Sequence, residues 1–188
     1  MTRAATAARV IVLLRGVNVG GQRAVPMAEL RRLAAAAGFA EVETWIQSGN
    51  LVLTTTAAAP AVEATLERAI AARFGFAVDV VARTAAAWSR ALAGNPFPDA
   101  AAERPSHLLL GFPKRPPDRD AAAQLRARAT LGERVEVGAD VLWLDYAGGV
   151  GRSKLTPAVL ERAAGSPVTA RNWTTALKLA EMATRGRP

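Results

Sequence analysis

Leu14-Arg15-Gly16-Val17-Asn18-Val19-Gly20-Gly21 is the stretch on which the fold turns. Before it runs Val10-Ile11-Val12-Leu13-Leu14, apolar without alternation, as a central strand covered on both faces must be. After it stands Pro26, at a first helical position where its missing N–H costs nothing. Met27, Leu30, Leu33, Ala34 and Ala37 then recur at helical spacing, and Gly38 supplies the stop. The opening unit therefore reads strand, glycine turn, helix. Residues 1–9 ahead of it read as a frayed arm.

The same grammar continues along the chain. Val42–Gln47 and Leu51–Thr55 read as two strands of a hairpin across Ser48-Gly49-Asn50. Pro60 starts a second helix whose apolar stripe is Val62, Leu66, Ala69, Ile70 and Phe74, with Gly75 after it. Val78–Arg83 reads as a short strand, and Thr84 can cap a third helix carrying Trp88 and Leu92. Residues 94–105, rich in Pro, Gly, Ala and Asp, read as a linker. Beyond it come a strand at Ser106–Phe112, a helix at Asp120–Ala129 around Leu125, and a hairpin of Arg134–Val137 with Val141–Tyr146. A second basic glycine loop follows at Gly148–Lys154. Thr156-Pro157 opens a helix that Gly165-Ser166-Pro167 ends. A short strand near Val168–Ala170 leads to a last helix capped by Asn172 or Thr169 and running through Ala183, with a loose tail at Thr184–Pro188.

That order is the split βαβ, ferredoxin-like order of an α+β fold, written twice. It predicts a first repeat over residues 10–94, a linker over 95–105, and a second repeat with a C-terminal helix over 106–183. Spacing supports an internal duplication. Gly49 and Arg83 are 34 residues apart, and Gly138 and Arg171 are 33 apart. Both arginines close a short strand before a Trp-bearing helix.

Composition narrows the chemistry. The chain has 188 residues, 51% of them hydrophobic, enough to bury a core. No apolar run reaches the length of a membrane span, and the short run after Arg9 does not read as a signal peptide. There is no cysteine, which removes disulfides and thiol nucleophiles and makes a cytoplasmic chain the expectation. Net charge is +8, which suits polyanions. Nearly all of it is arginine in an alanine-rich chain, so a compositional habit explains it equally well. Lys114, Lys154 and Lys178 are the only lysines.

With one histidine, His107, and no cysteine, Ser–His–Asp and zinc arrangements lack raw material. No paired-carboxylate site and no Mg²⁺ cluster stand out, so neither a metal nor a cofactor is expected. Gly16–Gly21 lacks the G-x-G-x-x-G order, and Gly148–Leu155 lacks the Gly-Lys-Ser/Thr of a P-loop. Both loops do offer backbone N–H groups beside basic side chains, an arrangement that suits an anion. The plainer reading is that glycine simply permits tight turns. Arg171, Asn172 and Trp173 at a helix start, with Lys178 seven residues on, form a further anion candidate. Base stacking on the sheet is disfavoured, because Val10–Leu14 and Leu51–Thr55 carry no aromatic residue.

Six motifs in order carry a resemblance. They are Leu14–Gly21 with Met27-Ala28-Glu29-Leu30 and Gly38-Phe39, Thr44–Asn50, Asn95-Pro96-Phe97-Pro98, Gly151-Arg152-Ser153-Lys154-Leu155, Thr169–Trp173, and Lys178-Leu179. Together they resemble the bacterial domain-of-unknown-function family 1697, from about residue 10 to 183. Val17 stands where Ile is usual, Trp45 where Tyr is usual, and Thr174 where Asn is usual. The resemblance implies an α+β fold and no particular activity.

The leading expectation is a small binding protein for an anionic or phosphorylated ligand. Its candidate residues are Arg15, Gly16, Asn18, Gly20, Gly21, Ser48, Gly49, Asn50, Arg152, Ser153, Lys154, Arg171, Asn172 and Lys178, at strand ends and turns where loops carry function. A nucleic-acid-binding module is the alternative, possible but not favoured. An enzyme of the phosphoryl- or nucleotidyl-transfer type, or an interaction scaffold, is the remaining one. No membrane partner is expected, and the oligomeric state stays open.

Overall fold

A computed structural model describes residues 6–21 and 23–185. By internal contacts the chain forms two compact units. One comprises the described residues up to 89 with those from 179 on, the other 90–178. Each holds one four-stranded antiparallel sheet.

The first unit runs β1 (Ala8–Leu14), α1 (Met27–Ala36), β2 (Ala40–Trp45), β3 (Asn50–Thr55), α2 (Ala59–Phe74), β4 (Val80–Thr84) and the start of α3 (Ala85–Ala93). Its sheet order is β2-β3-β1-β4. β1 is central, and every residue from Ile11 to Leu14 is buried. Val10, Val12 and Leu14 pack with Leu51, Leu53 and Val80 against Leu30, Val62, Leu66 and Ile70 of the helices. Their neighbours Ile11 and Leu13 point to the opposite face and are buried too. That two-sided cover is why the strand reads as a continuous apolar run. The strand starts at Ala8, so Ala8 and Arg9 belong to the sheet rather than to a frayed arm. Residues 1–5 lie outside the described residues.

The second unit contains α4 (Pro98–Glu103), β5 (Leu108–Pro113), α5 (Ala121–Arg126), β6 (Arg134–Val137), β7 (Leu142–Asp145), α6 (Pro157–Ala164), β8 (Val168–Asn172) and the start of α7 (Trp173–Thr184). The order β6-β7-β5-β8 repeats that of the first sheet. Its core gathers Leu125, Val135, Leu142, Leu144, Tyr146, Leu155, Leu160 and Val168.

Three expectations need correction. The stretch 95–105 is not an irregular linker. It carries α4, with Phe97 and Ala100 buried, because Pro98 fits a first helical position and Asp99 suits a first turn. Arg171 does lie in a strand, as the matched spacing implies, so it does not share a helix start with Lys178. β8 extends to Asn172, so no helical face joins Arg171 to Lys178. The tail begins later than expected, since Thr184 still closes α7 and donates its hydroxyl to Glu181 O at 2.9 Å. Residues 186–188 lie outside the described residues.

Register gives a strict comparison of the units. Arg83 sits opposite Ile11, and Arg171 opposite Leu110. The next residue caps a helix in both: Thr84 Oγ1 accepts Ala87 N–H at 3.1 Å, and Asn172 Oδ1 accepts Thr175 N–H at 2.9 Å. Strand passes to helix with no residue between them, Thr84 to Ala85 and Asn172 to Trp173. Counted from these caps, Trp88 corresponds to Ala176. The tryptophans of the two helices are therefore not equivalent.

Candidate functional site

In the first unit the structure joins the glycine loop to the hairpin turn. Asn18, in the left-handed region at φ 56°, makes the joint. Its Nδ2 donates to Val25 O at 3.0 Å and to Gln47 O at 2.7 Å, and its Oδ1 accepts Val25 N–H at 2.8 Å. Asn is the side chain best able to do both, since it tolerates that backbone region and carries donor and acceptor together. Asn50 is completely buried, with Nδ2 donating to Trp45 O at 3.1 Å and Ser48 Oγ at 2.9 Å. Leu14 N–H closes the arrangement on Gly49 O at 2.8 Å. A Cβ on Gly49 would lie 2.7 Å from both Leu14 Cβ and Val17 Cγ2, and its φ is +71°. Only glycine fits there.

Thus Asn18, Ser48, Gly49 and Asn50 are spent on structure. Arg15 is turned to Asp79, at 3.6 Å. What the loop leaves exposed is Val19, Gly20 and Gly21, with both glycines at positive φ.

In the second unit Gly148–Lys154 follows β7 and contains one turn of 3-10 helix at Val150–Arg152. Ser153 is its anchor. The hydroxyl donates to Glu133 and accepts Leu155 N–H at 3.0 Å. Tyr146 OH donates to Leu155 O at 3.0 Å from within the core. Burial pushes the Tyr146 phenol up to about 12, with the Glu133 charge adding to the shift. For Glu133 itself burial acts upward. Hydrogen bonds from Ser153 and Leu131, with the Lys154 charge, outweigh that and hold it below its ordinary value. Arg152 donates to Gly148 O at 3.0 Å, and both Arg152 and Lys154 are exposed on this fixed loop.

The C-terminal candidates separate by role. Asn172 is a helix cap. Arg171 donates to Thr169 Oγ1 and Ala170 O, both at 2.8 Å, and burial lowers its guanidinium to about 10, still cationic at neutral pH. Lys178 is half-buried on α7.

The most developed charge cluster escapes sequence reading. Asp145, at the end of β7, is completely buried. Arg104 clasps it through Nε at 3.0 Å and Nη2 at 2.8 Å, and Arg134 through Nε at 2.8 Å and Nη2 at 2.7 Å. Arg134 also reaches Asp99 at 2.7 Å and lies 4.6 Å from the Phe97 ring centroid. Burial acts upward on the Asp145 carboxyl, but the two guanidiniums prevail and hold it below its ordinary value. Both its oxygens are consumed by arginine, so the cluster is a brace and not an open acid.

In the first unit, Arg9, Glu41, Val42, Glu43 and Arg185 line a cleft of about 350 Å³. Arg9 bridges β2 there through Glu43 and Glu41 and donates to Met182 O at 3.1 Å. Among the described residues, no group of His, Asp or Glu is placed to hold a metal ion. Nor, among the described residues, is any helix long and apolar enough to cross a membrane.

No curated protein matches the chain. A solved structure is similar over its whole length: a conserved bacterial protein, SP0830, from Streptococcus pneumoniae. The likeness covers 95% of this chain and 100% of that one, at TM-score 0.75 and 23% identity. It speaks to the fold alone. A family model described as a protein of unknown function matches residues 7–143, and this span includes the glycine loop and the Thr44–Asn50 turn. The motifs at 151–155 and 169–179 lie beyond it. The chain belongs to the DUF1697 family.

Proposed function

We propose that this protein binds anionic, phosphorylated small molecules at its glycine-rich basic loops, each loop a place of its own. The observation that carries the reading is pre-organisation. Each loop is fixed from beneath by one polar side chain, Asn18 in the first and Ser153 in the second. Each leaves exposed groups, the glycine backbone of Gly20 and Gly21 in the first and the cations Arg152 and Lys154 in the second. A loop already held in place forfeits little entropy when a ligand arrives. Backbone N–H groups in a tight turn can form a concavity suited to an anion. Arg171 and Lys178 take supporting parts in this reading, through charge on the second unit. The two units stand in it as ferredoxin-like repeats of one duplicated ancestor in a cytoplasmic protein. Their shared sheet order and matched Arg83 and Arg171 registers support that view.

Thermal shift with inorganic phosphate, sugar phosphates, nucleotides and short oligonucleotides tests the reading at low and high salt. A ligand at about a hundred times its Kd adds about 2.7 kcal/mol of stability. The expected result is a salt-resistant shift from a small phosphorylated compound, reduced at least about tenfold in affinity by Lys154→Ala with Arg152→Ala. No shift from any anion would overturn it. A shift from every oligonucleotide that vanishes in salt would favour nucleic acid instead.

A further inference from the structure

Ile46 is held at φ +49° and is 51% exposed. Each fact is a penalty. The left-handed region is a true outlier for a β-branched residue. A large apolar side chain in water gains nothing from burial. At a turn position both penalties vanish with Asn or Gly. Among the described residues the other non-glycine ones in this region, Asn18, Arg23 and Glu41, are polar and unbranched at Cβ. Strain that persists at a surface position points to a use for the side chain itself.

A second apolar residue stands at the same place. Val19 is 69% exposed at the tip of the glycine loop. The bond from Asn18 Nδ2 to Gln47 O, 2.7 Å long, ties the residue before Val19 to the residue after Ile46. Val19 and Ile46 therefore flank one fixed joint, beside the exposed backbone of Gly20 and Gly21. Arg23, also exposed, follows in the same loop.

We infer that the first loop takes an anion carrying an apolar group, with the charge on the Gly20-Gly21 backbone and the apolar group across Val19 and Ile46. This rests on the anion reading above and adds the class of ligand. It explains why a turn keeps an exposed, strained isoleucine.

The test compares phenyl phosphate with inorganic phosphate on the full-length protein, by calorimetry and by amide shifts in NMR spectra. Phenyl phosphate is expected to bind at least about tenfold tighter, as burial of one small apolar face implies. That ratio should fall towards one in Val19→Ser and in Ile46→Asn, with the wild-type shifts centred on residues 19–21 and 46–47. Ile46→Asn should also raise the melting temperature by a few degrees, since strain is relieved. Phosphate binding with a wild-type ratio near one would overturn the apolar part and leave the anion reading standing. Absence of binding by either compound would overturn both. A lowered melting temperature in Ile46→Asn would show Ile46 serving the fold, and would overturn the inference on its own.

Discussion

Asn50 in the first unit and Asp145 in the second are both completely buried in a sheet strand, and they are satisfied by opposite chemistry. Asn50 enters β3 opposite Leu13 and is met by a carbonyl and a hydroxyl, all neutral. Asp145 leaves β7 opposite Leu108 and is met by two guanidiniums. A buried amide asks only for partners, and its bonds are indifferent to salt and pH. A buried carboxylate must also offset the loss of hydration, so it is tolerable only while its cations stay in place. One sheet order is thus secured once by amides and once by an ion cluster. The second arrangement is the more vulnerable.

The sharpest break in that comparison is Asp145→Ala. It strips two arginines of a shared partner and should cost about 3 kcal/mol in urea unfolding, because both arginines are partly exposed and keep Asp99 or Glu103. A cost below about 1 kcal/mol would reduce the cluster to a surface ion pair. Gly49→Ala attacks the amide side, adding a Cβ at 2.7 Å from Leu14 and Val17 at positive φ. About 3 kcal/mol should be lost.

Tyr146 gives the second unit a further dependence on pH. Its folded value near 12 lies above the ordinary phenol, so the unfolded chain releases its proton first. Stability is full below about pH 10 and declines by about 2–3 kcal/mol as pH rises to about 12. Tyr146→Phe should lack that decline in alkaline melts. Asp145 has the reverse sign. Its lowered folded value contributes stability present above the ordinary carboxylate range and lost as pH falls through the folded value. Smallest of the set, Asn18→Ala should cost about 2 kcal/mol, and the same amount at low and high salt. A strong salt dependence there would undo the contrast.

Legibility followed sequence distance. β1, α1, α2 and both hairpins are readable because their signals are local, in apolar runs, helical spacing and turn glycines. The hairpin turn lay nearly where expected, although Asn50 proved to be the first residue of β3. Helix α4 was hidden by composition, since Pro98 and Asp99 serve equally in a linker and in a first turn. The extent of β8 was hidden for a related reason: a helix start signal at Asn172 is real, but it does not say where the preceding strand stops. The Asp145 cluster was beyond reach. Its arginines lie 41 and 11 residues away, and no local pattern joins them. Of the candidate site, the residue types suggested ligand roles for Asn18, Ser48, Gly49 and Asn50, and nothing local pointed to the bond that joins the two motifs. That Asn18 and Asn50 spend their polar atoms inward, leaving Val19 and Ile46 outside, needed coordinates.

The direct passage from Thr84 to Ala85, and from Asn172 to Trp173, has a mechanical meaning. With no spacer residue, the rotation of α3 about its axis is set by where β4 ends, and that of α7 by where β8 ends. One residue of slippage in the strand would turn the helix by about 100° and advance it by about 1.5 Å. Each junction therefore works as a keyed shaft, converting a register choice at an edge strand into the phase of an entire helix. Single-residue insertions at these two points should be tolerated far less than insertions in the loops between other elements, for lack of slack rather than lack of space.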